Sequence, residues 1–148
     1  MLNPNVEKAL NAQINAELWS AYLYLSMSMD ASAKGYKGVA NWYYIQFQEE
    51  QDHARIFMNY VLSRGGRVEL APIVDTEWAS PLASFEDTLA HERKVTAMIE
   101  NLCRVAEAEK DLATSNMLVW FIDEQVEEEE NAQDIIDQLK MVGDSRMG

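Results

Sequence analysis

The sequence predicts an all-α protein folded as one four-helix bundle. Three observations carry this. Four long segments repeat apolar residues at spacings of three and four, the period of a helix with one buried face. Glycine and proline number only 6 and 3 in 148 residues, which favours long uninterrupted helices. The breaks between segments run short, long, short: two tight turns and one extended connection.

The first helix is expected from Asn3-Pro4, with Asn as N-cap and Pro tolerated at the first helical position. Val6, Leu10, Ile14, Glu17, Ala21, Leu25 and Ser28 form its inward stripe, and Lys34-Gly35 with Gly38 break it. The second helix carries Val39, Tyr43, Gln46, Glu50, His53, Phe57 and Val61 on one face and stops at Gly65-Gly66. Residues 65–82 hold Pro72 and Pro81 and lack a helical period, so they are expected as a long connection. Extended, it reaches ~60 Å. A helix of this size spans only about 40 Å. The connection can therefore cross the length of a bundle.

The third helix is expected to open at Ser84, with Asp87 in its first turn and Phe85, Leu89, Glu92, Val95, Ile99, Leu102 and Ala106 inward. Lys110-Asp111 reads as a short turn with Asp111 as the next N-cap. Leu118, Phe121, Gln125, Glu128, Ala132, Ile135 and Leu139 then mark a fourth helix ending near Gly143. Two helical hairpins joined by a crossover make an up-down four-helix bundle. Residues 1–148 are about one domain.

The net charge of −13 argues against nucleic acid and anionic membranes as partners and fits a protein that attracts cations. No apolar run approaches the ~18 residues of a membrane span. The opening MLNPNVEKALNAQ lacks a basic segment followed by an apolar core, so a cytoplasmic location is the default expectation. Cys103, the single cysteine, allows no internal disulfide and reads as a buried small hydrophobe.

The stripes are not wholly apolar. Glu17, Glu50, His53, Glu92, Gln125 and Glu128 occupy core positions, two pairs of them at helical spacing. Taken singly, each has a plain structural explanation: a glutamate at the stripe's edge, a hydrogen-bonded core histidine. Their depths decide otherwise. The midpoint of Glu17 and His53 falls on Gly35, and that of Glu92 and Glu128 falls on Lys110, so both hairpins place these groups ~25 Å from their turns. Buried carboxylates must be compensated. Four of them match the charge of two divalent cations, and oxygen-rich ligation with one imidazole suits Fe(II), Mn(II) or adventitious Zn(II).

These residues carry a resemblance. NAQINAELWSAYLYLSM, QEEQDHA, RGGRVEL, AHE at Glu92 and LVWFIDEQVEEEE make the chain similar to the non-haem bacterial and archaeal ferritins along nearly its whole length. The resemblance implies a ferritin-like bundle that stores iron and oxidises Fe(II) with O2 or H2O2. It implies Glu17, Glu50 and His53 as ligands of one iron, Glu92 and Glu128 of a second, Glu50 bridging, and Gln125 as the second-site amide. It implies a third site on Glu49, Glu124 and Glu127 beside Glu50 and Glu128. Tyr24 matches a site-adjacent tyrosine of the family, against ordinary aromatic packing. Trp120 matches a tryptophan before the fourth-helix motif, with packing as its reading.

Two departures matter. Haem-containing relatives carry a second Glu-x-x-His on the fourth helix, where this chain has Gln125-Val126-Glu127-Glu128. No haem is expected, and His91 is read as flanking the site. The fifth C-terminal helix usual in the family is expected to be absent. Leu23, Tyr36, Trp42, Ile56, Tyr60 and Val68 are read as an apolar flank for twofold dimers, which the resemblance extends to a shell of twenty-four subunits. The competing readings are a di-metal oxidase or oxygenase on an organic substrate, and a structural metal-binding bundle.

Overall fold

The computed structural model describes residues 1–71 and 78–143. It contains four long helices: α1 (Pro4–Ala33), α2 (Lys37–Ser63), α3 (Pro81–Ala108) and α4 (Leu112–Val142). Asn3 caps α1 as expected, its Oδ1 accepting from Asn5 N at 2.8 Å. Asp111 caps α4, accepting from Thr114 N at 3.0 Å.

The first turn is tighter than the sequence suggests. Gly35, at φ +84°, makes the break alone, while Gly38 already lies in the first turn of α2. The third helix starts earlier than expected. Pro81 occupies its first turn and Ser80 is the N-cap, accepting from Ala83 N at 3.1 Å. A proline with Ser before it is a start signal, not loop. Ser84 and Asp87 are consequently helical residues beyond the first turn.

The contacts at the ends fix the topology. Asn3 and Asn5 reach Glu109, so α1 and α3 are antiparallel; Arg64 reaches Asp111, so α2 and α4 are antiparallel too. The connection after α2 starts beside Glu7 on α1, and Lys34 at the far end of α1 donates to Trp78 O. It therefore travels the length of the bundle, and α3 runs parallel to α2. Pro72 and the centre of this connection lie outside the described residues.

What holds the connection is a ladder of side-chain amides. Arg67 N donates to Glu7 Oε2. Asn11 donates to Arg67 O and accepts from Glu69 N, both at 2.8 Å. Asn15 donates to Glu69 O at 2.9 Å and accepts from Ala71 N at 2.7 Å.

Two apolar cores fill the bundle. One, toward the α3–α4 turn, packs Leu10, Ile14, Phe57, Ile99, Leu118 and Phe121 among others. The other, toward the α1–α2 turn, is rich in rings: Tyr24, Tyr43, Trp78 and Phe85, with Met27 and Ile136. Ile136 is the deepest residue of this part of α4, because the stripe advances four residues after Ala132, while Ile135 and Leu139 pack half-buried against the same core. Leu23 is buried in this second core and is no part of an outer flank; Trp42 packs against the same core, Tyr60 and Val68 against the first. Ile56 is exposed, as expected. Cys103 is only partly buried against the first core.

Candidate metal centre

Between the two cores lies a polar layer. Glu17, Glu50, Glu92 and Glu128 are 1–4% exposed, as are His53 and Gln125. All six residues singled out by stripe and depth are there. The apolar cores on either side of this layer fix its position along the helices.

The ligand atoms fall into three overlapping groups, each within 4.8 Å: Glu17 with Glu50 and His53; Glu50 with Glu92 and Glu128; and Glu49 with Glu124 and Glu128. Glu50 belongs to the first two groups and Glu128 to the last two. His53 Nδ1 lies 3.4 Å from Glu50 Oε2 and 3.9 Å from Glu17 Oε2, while its Nε2 lies 3.7 Å from Glu124 Oε1. The ring is held edge-on by Phe121 and by Trp120, which is itself 49% exposed. Glu127 is exposed and stands outside the three groups, because it sits 100° around α4 from Glu128.

The electrostatics favour a cation among these groups. Burial pushes the Glu17 and Glu50 carboxyls well above the usual range; Glu50 adds to it at Glu17, while at Glu50 the hydrogen bond with Glu17 pulls down and the Glu92, Glu128 and Glu49 charges push up. Burial raises Glu92 to about 7 and Glu128 to about 9, with further repulsion from Glu92 on Glu128. Glu49 is raised by burial and then by Glu124. Glu17 Oε2, Glu50 Oε1 and His53 Nδ1 are buried without any hydrogen-bond partner. Donor atoms that face one another and lack partners within the protein suit a shared divalent ion.

A second layer of residues aims these ligands. Tyr24 OH donates to Glu92 Oε1, and Gln125 Nε2 donates to Glu92 Oε2 at 3.2 Å and to Thr96 Oγ1 at 3.0 Å. Tyr24 keeps its proton: burial, followed by the Glu92 charge, raises its hydroxyl well above the usual range. Its ring is stacked on Tyr43. His91 flanks the site as expected. Its Nε2 is hydrogen-bonded with Ser20 Oγ, which also reaches Ala16 O, and burial lowers the imidazole to about 4.

Two residues escaped the sequence reading. Gln13 donates to Glu17 Oε1 at 3.1 Å, and Thr96 accepts from Gln125. Both sit four residues from a ligand on the same helix face, a spacing that could have marked them.

A buried layer of four carboxylates, an imidazole and an amide, with Glu50 and Glu128 each common to two groups, makes a candidate metal centre inside a four-helix bundle. A family model described as Ferritin-like domain matches residues 7–142. The chain is 44% identical to the bacterial non-heme ferritin of Bacteroides fragilis strain 638R, over 98% of this chain and 92% of that one. It is 40% identical to the bacterial non-heme ferritin of Staphylococcus haemolyticus, over 97% of this chain and 88% of that one. The solved open pore ferritin of Archaeoglobus fulgidus superposes with a TM-score of 0.95 at 46% identity, over 98% of this chain and 90% of that one. This chain belongs to the ferritin family.

Proposed function

We propose that the chain is an iron-storage ferritin subunit that oxidises Fe(II) at the buried layer and keeps Fe(III) as mineral within a shell of its copies. The observation that carries this is the set of three ligand groups sharing Glu50 and Glu128. Glu17, Glu50 and His53 would take one Fe(II), and Glu92 and Glu128 a second, with Glu50 between them and Gln125 beside the second. A third Fe would sit on Glu49 and Glu124 with Glu128, and Glu127 would lie on the way out of the site.

Iron is the substrate here, and the side chains do three things. They exchange protons for metal: carboxyls raised by burial are protonated when the site holds none and are deprotonated as Fe(II) binds, so binding strengthens with pH. They hold two ions close together, so that one molecule of O2 or H2O2 can draw electrons from both. Tyr24, through Glu92, keeps the second-site carboxylate in one orientation.

Storage requires a cavity and therefore assembly. Exposed Tyr22, Tyr44, Ile45 and Ile56 on α1 and α2 support association as twofold dimers, and the family relationship supports the twenty-four-subunit shell. No helix among the described residues is long and apolar enough to cross a membrane.

The test is iron loading per chain, with light scattering on the same sample. A storage protein takes up far more than two irons per chain in a large assembly. Saturation at two, or a monomer at micromolar concentration, would remove storage from the reading. Oxidation rates in Glu17→Ala that match wild type would remove the site.

A further inference from the structure

The metal layer faces two opposite sides of the bundle, and the two sides differ in chemistry. The α2–α4 side carries Glu49 and Glu124, both half-buried, and suits an arriving cation. The α1–α3 side holds a groove made of two adjoining cavities of about 430 and about 290 Å³, which share Ala9, Ala12 and Asn101. Its inner part has no charged residue in its lining, which includes Gln13, Met98 and Leu102.

Gln13 connects this groove to the metal layer. The residue is 1% exposed, and its Nε2 is committed to Glu17 Oε1 at 3.1 Å. Its Oε1 has no partner within the protein. An amide oxygen buried without a donor is unfavourable, so the position favours a molecule that brings one. That molecule must be small, because Gln13 Oε1 lies behind the groove wall and is itself closed to solvent. It must be uncharged, because nothing in the inner groove would balance a charge. It must donate a hydrogen bond. Met98, unbranched and adaptable, can move to let it pass.

We infer that the α1–α3 groove is a path for hydrogen peroxide, which docks on Gln13 Oε1 one helical turn from Glu17. This rests on the ferroxidase reading and adds its oxidant. Fe(II) and oxidant then reach the layer from opposite sides. The reaction balances without a further reagent: two Fe(II) each give up one electron, the O–O bond breaks, and each oxygen keeps its hydrogen and leaves as hydroxide. Dioxygen has no hydrogen to donate, so the Gln13 acceptor gives it no advantage.

The groove can be blocked without touching the ligands. Ala97 and Ala12 are exposed on opposite walls, so Ala97→Phe and Ala12→Phe each fill the groove while leaving the bundle intact. Protein loaded anaerobically with Fe(II) is mixed with peroxide or, separately, with dioxygen, and Co(II) spectra check that metal binding is unchanged. Both variants should slow the peroxide reaction by about tenfold or more and leave the dioxygen rate within about twofold. Unchanged peroxide rates in both variants would overturn the path. Equal slowing with both oxidants would overturn the choice of peroxide. Wild-type protein that oxidises Fe(II) with neither oxidant would instead sink the underlying reading, a result visible before any variant is made.

Discussion

The apolar core near the α3–α4 turn and the carboxylate layer above it are built from the same four helices and continue the same four stripes, yet they do opposite work. In the core, Phe57 and Phe121 stack at 4.1 Å with Leu10, Ile99 and Leu118 around them, all nearly or fully buried. Every atom there gains from leaving water. In the layer, Glu17, Glu50, Glu92 and Glu128 are buried as deeply and lose by it: their carboxyls hold protons they would release in water. One region stabilises the bundle; the other draws on that stability to keep ligands dry and close. Such sites are where a protein departs from local consistency.

The largest effect should come from breaking the core. Phe57→Ala is expected to cost about 3–5 kcal/mol. The loss should be the same in metal-free and Co(II)-loaded protein, measured by denaturant unfolding. A loss that metal cancels would mean the two regions are not independent.

His53→Ala should do the converse. Fe(II) oxidation followed by stopped flow should fall by about 100-fold or more. Metal-free stability should change by less than about 1 kcal/mol, because the residue removed is poorly satisfied there. Loss of the helical fold would assign His53 to the core instead.

Acidity separates the regions without mutation. Glu92 and Glu128 bind protons more tightly folded than unfolded, so they stabilise the folded state fully only below the ordinary glutamate pKa. That contribution is lost as pH rises through about 7 and about 9. The melting temperature of metal-free protein should therefore fall across this range. Saturating Co(II) should remove the fall, since the bound ion favours the deprotonated form. A metal-free melting temperature that rises from pH 6 to pH 9 would contradict the burial argument.

The smallest effects belong to the margin of the layer. Glu49→Ala should leave binding of two metals intact while changing iron turnover. Glu127→Ala, on the solvent side of α4, should change stability by less than about 0.5 kcal/mol. If Glu127→Ala abolishes binding at the buried pair, α4 presents another face to the site than the one described.

Much of this was legible in the sequence, and for particular reasons. Glu17, Glu50, His53, Glu92, Gln125 and Glu128 were readable because the helical period fixes facing and distance from a turn fixes depth. Leu23 was misread as outer flank because the period alone does not say how wide the buried stripe is where Trp78 folds back onto α1. The start of α3 was missed because Pro81 reads as a breaker until Ser80 is recognised as its cap. Gln13 went unread because a glutamine on a helix is ordinary; its spacing of four from Glu17 was the signal in the sequence, and burial with an unpartnered oxygen singles it out in the structure.

The amide ladder that ties the connection to α1 works as a vernier. Glu7, Asn11 and Asn15 are four residues apart, a step of about 6.0 Å along a helix. Their partners at Arg67, Glu69 and Ala71 are two residues apart, about 6.6 Å along an extended chain. The two scales nearly coincide, so three consecutive rungs close with ordinary hydrogen bonds while the mismatch grows by only about 0.6 Å per step. The near-match also caps the length: about five steps from the first rung the scales would be out of phase by half a step. A helix can thus hold an extended strand in a single register, over a short span, with no sheet involved. Each internal rung must both give and accept, which an asparagine amide does and a carboxylate cannot. Asn11→Asp would keep the shape of the side chain and lose the register.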